Sequence, residues 1–275
     1  GSENIGIFTN KPITSTAANI TINNSTKSIG IYAKNAGATT TNTGKISATG
    51  VSVKAIVADN STITSSGKVD VTGSAANSSD GTIGLGAMNG GKLTQNGASN
   101  INIDGSGSVG VYSGGAGSKL ILTNSNIKST NGAFNVSAMD NGKIELGSTT
   151  INTGQKSLAF YTDNSGVIDF KGNVIANIAG GNDPNTRGTA FIYTGSGYTP
   201  FDATAIGIWA TNRFNNMTNL TLNMGQGSRL FIAQNVKMDL TNTAASTLTN
   251  LSTNDSFLLA SLICNTRSKR VSPTT

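Results

Sequence analysis

The chain has 275 residues, a formal charge of +6, 34 glycines, no histidine and only 12% charged residues, against the roughly 25% usual for globular domains. Three of the positive charges, Arg267, Lys269 and Arg270, lie in the C-terminal tail, so the body is too weakly basic to favour nucleic acid as a partner. The lack of histidine excludes histidine-based catalytic triads and metal sites, and no apolar run reaches the roughly eighteen residues that would predict a membrane span.

An eight-residue phrase recurs along the chain. The first copy begins at Asn4. We assign the preceding residues 1–3 to a cleavage scar, which Gly1 and Ser2 resemble. The starts of the phrase are 24, 25, 29, 26, 25, 24 and 32 residues apart, and such a period is typical of a solenoid, in which each unit buries its apolar face against its neighbours. The copies are NIGIFTNK from Asn4, SIGIYAKN from Ser28, VKAIVADN from Val53, TIGLGAMN from Thr82, SVGVYSGG from Ser108, AFNVSAMD from Ala133, SLAFYTDN from Ser157 and TAFIYTGS from Thr189.

The positions within the phrase predict a strand with one inward face. The fourth position is always apolar and the sixth is always Thr, Ala or Ser. Because strand side chains alternate with period two, we expect positions two, four and six to face inward. Position eight is often Asn, which tolerates a left-handed corner and can hydrogen-bond along a stack. Position five would face outward, and it carries the aromatic residues Phe8, Tyr32, Tyr112, Tyr161 and Tyr193.

Two further strand phrases follow in each unit. Examples are SKLIL at 118–122 followed by SNI at 125–127, and GKIEL at 142–146 followed by TTI at 149–151. Three short strands per turn of chain, joined by Gly and Asn corners, predict an all-β fold, a right-handed parallel β-helix with coils about 4.8 Å apart. Each coil would contain about 24–29 residues.

The domain organisation follows from where this pattern weakens. We expect one β-helix over residues 4–253, with surface loops at 177–188 and 195–217, and a return to the helix at 221–240. The tail at 254–275 contains the only cysteine, Cys264, and departs from the repeat style. We expect this tail to be disordered or derived from an expression vector.

The phrases SIGIYAKNAG, TGKISATG, GTIGLGAMNGG and SLAFYTDNSG resemble those of the passenger domains of type V (monomeric) autotransporter adhesins, especially the large outer-membrane adhesins of fusobacteria. The resemblance covers roughly residues 4–253. It implies a secreted, repeat-built virulence factor displayed on the outside of the bacterial outer membrane. The expected function is cell adhesion to host cells or other bacteria, or spacing of such a site, by a monomer whose partner is a surface protein or glycan.

The alternative is a β-helical polysaccharide lyase or hydrolase, which would need carboxylates, Lys or Arg in place of histidine. Glu145 and Asp169 fall in one outward column on adjacent coils and would lie about 5 Å apart. The nearby Lys143 favours a solvated charge cluster over a catalytic pair, and we expect no enzyme activity. Lysines that precede second-strand phrases could also form a ladder for an anionic glycan, but we favour a role in keeping a flat β face soluble and unpaired; they are Lys45, Lys68, Lys92, Lys119 and Lys143.

No cofactor or metal site is predicted. The G-x-G-x-x-G pattern at 105–110 leads into a strand and lacks the helix that dinucleotide binding requires. A flat threonine face could bind ice, but we expect Thr39 and Thr41 to have no aligned copies on neighbouring coils.

The candidate binding residues form two groups. Loops on rigid scaffolds often carry function, and Trp, Tyr and Arg are common in binding hot spots. The first group therefore lies in the expected excursions, although its aromatic rings could instead fill the core. It comprises Arg187, Tyr198, Phe201, Trp209, Arg213 and Phe214. The second group is the outward aromatic row, with Tyr112, Tyr161 and Tyr193 as its candidates. Such a row could contact a partner or a sugar, or only stabilise strands by cross-strand packing.

Overall fold

The computed structural model describes residues 1–37, 39–163, 165–183, 186–201, 213–238 and 257–258. At 195–201, 231, 233–238 and 257–258 it describes the backbone alone. The described residues form three parallel β-sheets and one short 3-10 helix, Met217–Asn219. The fold is therefore all-β, as the repeat predicts.

The three sheets take one strand each from successive turns of the chain. The first sheet holds the recurring phrase, in strands Ile5–Thr9, Ile29–Lys34, Lys54–Asp59, Ile83–Met88, Val109–Gly114, Phe134–Met139, Leu158–Asp163, Thr189–Phe201, Arg229–Met238 and Phe257–Leu258. The second sheet contains Thr39–Asn42, Thr62–Ser65, Lys92–Gln95, Lys119–Leu122, Lys143–Leu146, Val167–Phe170 and Phe214–Asn215. The third sheet contains Ile20–Thr26, Ile46–Val51, Val69–Ser74, Ser99–Asp104, Ser125–Thr130, Thr149–Thr153, Val174–Ile178 and Leu220–Met224.

Every strand pairs with the equivalent strand one turn earlier or later. Ile31, for example, aligns with Ile7 on one side and with Ile56 on the other. All strand pairings within the sheets are parallel, and no sheet mixes strands from different positions of the coil. This arrangement confirms a parallel β-helix with three strands per coil.

The core is a narrow column of aliphatic side chains inside the three sheets. Position four of the phrase is fully buried from Ile31 to Phe160, and Ile46, Ile63 and Leu120 fill the interior from the other two sheets. Burial of each such side chain contributes about 1.5–3 kcal/mol. Burial of this interior stack thus supplies folding free energy that the exterior, rich in Ser, Thr and Asn, does not.

Position two of the phrase does not face inward as predicted. Ile29, Ile83 and Val109 are partly exposed, whereas the small residues at position three are buried. A Cβ on Gly110 would lie 2.6 Å from Cγ2 of Ile127 and 2.7 Å from the carbonyl oxygen of Asn135. The chain therefore bends where position three approaches the next coil, and this bend turns position two outward.

The corner predicted at position eight is present. Asn35, Asn60, Asn89 and Asp140 all adopt φ values between 46° and 54°, the left-handed region that Asn and Asp tolerate best after Gly. The amide of Asn60 also donates to Oδ1 of Asn35 on the preceding coil at 2.8 Å. The expectation of hydrogen bonding along the stack is confirmed for this pair.

The expected excursions differ in extent from the observed loops. Asn177 and Ile178 belong to the strand Val174–Ile178, and the strand Thr189–Phe201 continues through 195–201. Residues 202–212 lie outside the described residues, while Phe214 lies in a strand of the second sheet. The predicted return is present as Leu220–Met224 and Arg229–Met238, and Phe257–Leu258 of the expected tail pairs with the first sheet.

Replacement of Phe160 by Ala should destabilise the protein by about 3–5 kcal/mol, the usual range for a buried Phe. Its fully buried ring packs on Phe170 and Phe191 at centroid distances of 5.1 and 5.2 Å. Denaturant-induced unfolding followed by circular dichroism measures the loss. The matched control is Phe134→Ala, which removes an equal ring from the partly exposed outer face; equal losses from the two changes would contradict the assigned core.

Candidate functional site

The aromatic row lies on the outer face of the first sheet. Strand register aligns Phe8 with Tyr32, and Tyr112 and Tyr161 fall in the same column with Ser137 between them. The rings of Phe8 and Tyr32 lie 5.7 Å apart, and Phe8 is 55% exposed. Tyr112 and Tyr161 are partly buried on this face. The predicted outward placement of these four residues is correct.

The neighbouring column makes this face more apolar than the sequence predicts. Because position two points outward, Phe134 stacks on Tyr161 with a centroid distance of 5.7 Å and an interplanar angle of 23°. Ile29, Ile83 and Val109 add aliphatic surface on the same side of the sheet. The strict period-two interpretation missed these residues. The signal that could have found them is the recurrent Gly or Ala at position three, which marks a close approach.

A buried carboxylate anchors one end of the aromatic row. The hydroxyl of Tyr32 donates to Oδ2 of Asp59 at 2.7 Å, and the amide of Asn89 donates to Oδ1 at 2.8 Å. Burial of the phenol, followed by the hydrogen bond to Asp59 and the charge of that carboxylate, raises the pKa of Tyr32 to about 12. The tyrosine is therefore held protonated and fixed in orientation.

The expected outward position of Tyr193 is wrong. Thr189 pairs with Leu158 and Tyr193 pairs with Thr162, so the eighth copy of the phrase is shifted by one residue. Ile192 takes the outward position opposite Tyr161, and Tyr193 points inward with 6% exposure. The two β-branched or aromatic residues at 192 and 193 fit either register, and the phrase alone could not choose between them.

The predicted cluster of loop residues is not one surface. The ring of Phe214 is 3% exposed and packs edge-on against Phe191 at 4.9 Å, so it belongs to the core. Arg187 donates to the carbonyl oxygens of Gly181 and Asn182 and holds its own loop together. Arg213 donates from Nη1 to the carbonyl oxygen of Ser165.

The remaining members of that cluster are less fully described. The backbones of Tyr198 and Phe201 lie in the strand Thr189–Phe201, and their side chains are outside the description. Trp209 lies outside the described residues.

The carboxylate pair Glu145 and Asp169 is bound to lysines on the second sheet. The two residues are register neighbours on adjacent coils, as predicted. Nζ of Lys119 and of Lys143 lie 3.0 and 3.2 Å from Oε1 of Glu145, and Nζ of Lys171 lies 3.0 Å from Oδ2 of Asp169.

These ion pairs set the protonation of the two carboxylates. Burial raises the pKa of Glu145, but the hydrogen bonds and charges of its lysine partners outweigh burial, and the net pKa is lowered. The pKa of Asp169 is also lowered, because hydrogen bonds from Lys171 and Asn216 outweigh its burial. A general acid needs a raised pKa at neutral pH, so this geometry favours the charge cluster.

The lysine ladder is divided between two sheets. Lys92, Lys119 and Lys143 align on the second sheet. Lys45 and Lys68, by contrast, immediately precede strands of the third sheet and both bind Oδ2 of Asp70, at 3.2 and 3.1 Å. The prediction of a single ladder of five lysines is therefore wrong.

The threonine ranks also differ from expectation. Thr39 and Thr41 align with Thr62 and Thr64 on the next coil, and Thr94 follows in register. The expectation that Thr39 and Thr41 lack aligned copies is wrong. Lys92 occupies the place of the next threonine, so the flat threonine array ends there.

Within the ranges that the structure describes, no group of three Asp, Glu, Cys or His residues could hold a metal ion. The same residues include no helix that is long and apolar enough to cross a membrane. Comparison of the chain with protein-family models, with curated proteins and with solved structures finds no match.

Because Tyr32 is held protonated beside Asp59, the stability of the protein should fall as the pH becomes strongly alkaline. The folded pKa of about 12 lies above the unfolded value of 10.0. The stabilisation is therefore fully present below pH 10 and is lost as the pH rises through 12. The difference in unfolding free energy between the wild type and Tyr32→Phe should shrink across that window, with the tyrosinate absorbance of the two proteins compared in parallel. A difference that stays constant through pH 12 would contradict the assignment.

Proposed function

We propose that this chain is a surface-exposed segment of a bacterial adhesin passenger, located on the outer side of the outer membrane. It attaches its bearer to host cells or other bacteria, or it holds such a site away from the cell as a stiff spacer. The segment acts without a cofactor and without catalysis, as a monomer. The phrases that resemble autotransporter adhesins suggest this function.

The observation that carries the attachment function is the outer face of the first sheet. Phe8, Tyr32, Tyr112 and Tyr161 present aromatic rings there, and Ile5 and Phe8 are the two large hydrophobic residues most exposed among those described, at 46% and 55%. Aromatic and aliphatic side chains gathered on one sheet face of a protein this polar are typical of an interaction surface. The rigid coil stack fixes the rings before binding, which reduces the entropy lost on association.

The spacer function follows from the geometry of the stack. Ten strands of the first sheet at about 4.8 Å spacing give a rod about 45–50 Å long. Each coil contacts only its neighbours, so length can be added without a change of fold.

A catalytic function is disfavoured by the best-placed carboxylates. Glu145 and Asp169 are paired with lysines and have lowered pKa values. Neither is suited to donate a proton to a leaving group at neutral pH.

Attachment is tested with the purified chain on glycan arrays and on host and bacterial cells. The double variant Tyr112→Ala and Tyr161→Ala should lower bound protein at least about tenfold, because two aromatic contacts at a binding site often contribute more than 1 kcal/mol each. Ile121→Ala with Ile175→Ala is the matched control, since it removes partly buried apolar side chains from the outer faces of the second and third sheets.

The circular dichroism of both double variants should match that of the wild type. Equal loss of binding by the two would refute the aromatic face as the site. No binding by the wild type to any cell or glycan would refute the attachment function and leave the spacer.

A further inference from the structure

A second candidate surface lies on the outer face of the third sheet, away from the aromatic row. Strand register places Thr72, Asn102, Lys128, Asn152, Asn177 and Asn223 in one column over six successive coils. At about 4.8 Å per coil, this column spans roughly 24 Å. Two clefts lie along it, of about 620 and 230 Å³, and Lys128 lines both. Both are open, shallow clefts on the sheet face.

Three amides of the column form a ladder with a fixed direction. Asn223 donates to Oδ1 of Asn177 at 2.8 Å, and Asn177 donates to Oδ1 of Asn152 at 2.9 Å. Asn152 in turn donates at 2.9 Å to Oδ1 of Asn126, which lies in the adjacent outward column, two residues before Lys128. An amide has two N–H donors and two oxygen lone pairs, and each internal rung uses one of each in the ladder. The ladder therefore fixes the amide orientation and leaves donors and acceptors in regular alternation on the outer face.

This pattern favours a ligand that both donates and accepts hydrogen bonds. A chain of hydroxyl groups can donate and accept at every position and so complements alternating amide donors and acceptors. A phosphate chain, which only accepts, would leave the amide oxygens without donors. An apolar peptide face would leave both unpaired. A linear saccharide that runs along the column satisfies both groups.

Lys128 adds a charge to this recognition. It is exposed, and it makes no ion pair with any residue in the described part of the chain. One carboxylate, Asp104, lines the smaller cleft together with Lys128; its Oδ1 accepts hydrogen bonds from Thr130 and Asn131, both at 2.6 Å. None of the residues that line the larger cleft carries a carboxylate. On that side the ammonium group of Lys128 is available for an anionic group on a ligand.

We propose that this column binds a linear oligosaccharide that carries carboxylates, with the amide ladder hydrogen-bonding its hydroxyls and Lys128 binding one carboxylate. The site adds a ligand class to the proposed attachment function and uses none of its aromatic residues. Its amides, unlike the aromatic row, discriminate by hydrogen bonding, and the charge of Lys128 adds a preference for uronic acids over neutral sugars.

The test is isothermal titration calorimetry of the full chain with an alginate oligosaccharide, whose every residue carries a carboxylate, and with the same oligosaccharide after esterification of its carboxylates. We expect the free acid to bind at least about tenfold more tightly than the ester, since a hydrogen bond to a charged group contributes about 1.5–3 kcal/mol. Lys128→Gln should abolish this difference. Lys92→Gln is the matched control, an exposed lysine on the second sheet with no ion pair among the described residues.

Three results would overturn the proposal: no binding of the free acid by the folded wild type, equal weakening by Lys92→Gln and Lys128→Gln, or no effect of Lys128→Gln. The variant Tyr112→Ala with Tyr161→Ala separates the two proposals. Oligosaccharide binding that is lost in this variant and kept in Lys128→Gln would refute the column and support the aromatic face. If the double tyrosine variant keeps both oligosaccharide binding and cell attachment, only the aromatic face is refuted.

Discussion

The close stacking of each coil on the next is the constraint on which the rest of this structure depends. Parallel pairing repeats at about 4.8 Å, and it brings backbone atoms of neighbouring coils too near for most side chains at the inner bend. A Cβ added to Gly30 would lie 2.5 Å from the carbonyl oxygen of Ala55 on the next coil. Small residues at this position are the condition for stacking. Their presence also directs position two outward, so one packing constraint determines both the inner core and the outer apolar face.

At one coil the inner bend holds a larger, polar side chain. Asn135 occupies position three and is fully buried. Its amide nitrogen donates to the carbonyl oxygen of Ile127, and its oxygen accepts hydrogen bonds from Ser129 and Thr153 at 2.7 and 2.8 Å. These partners come from two different coils of the third sheet. A buried amide whose nitrogen and oxygen both have hydrogen-bond partners carries a smaller desolvation cost than an unpaired one, and here it ties the first sheet to the third across the interior.

The sequence was sufficient to predict the fold class, the three strands per coil and the left-handed corners at Asn35, Asn60 and Asn89, because these features depend on local pattern repeated in every coil. It was insufficient where two registers had similar patterns. Ile192 and Tyr193 are both suited to a strand, and only contact with Leu158 and Phe160 on the preceding coil decides which one faces inward. The inward ring of Phe214 depends on the same kind of contact, since it is separated by 23 residues from its packing partner Phe191. The amide ladder was also missed, because its members are aligned only when the coils of unequal length are stacked.

The same stacking explains how a chain with few charges can build distinct surfaces. A residue type repeated at one position of the coil becomes a continuous column, so the sheets differ in chemistry. The first sheet presents rings and aliphatic groups, and the second presents lysine–carboxylate pairs. The third presents amides, beside the two lysines that bind Asp70. On the second sheet, Lys119, Lys143 and Lys171 alternate with Glu145 and Asp169 and are engaged by these carboxylates. On the third sheet, Lys128 lies between Asn102 and Asn152 in its column and forms no ion pair among the described residues. The capacity for selective binding therefore depends less on how many charges a face carries than on whether stacking places them beside opposite charges or beside neutral hydrogen-bonding groups.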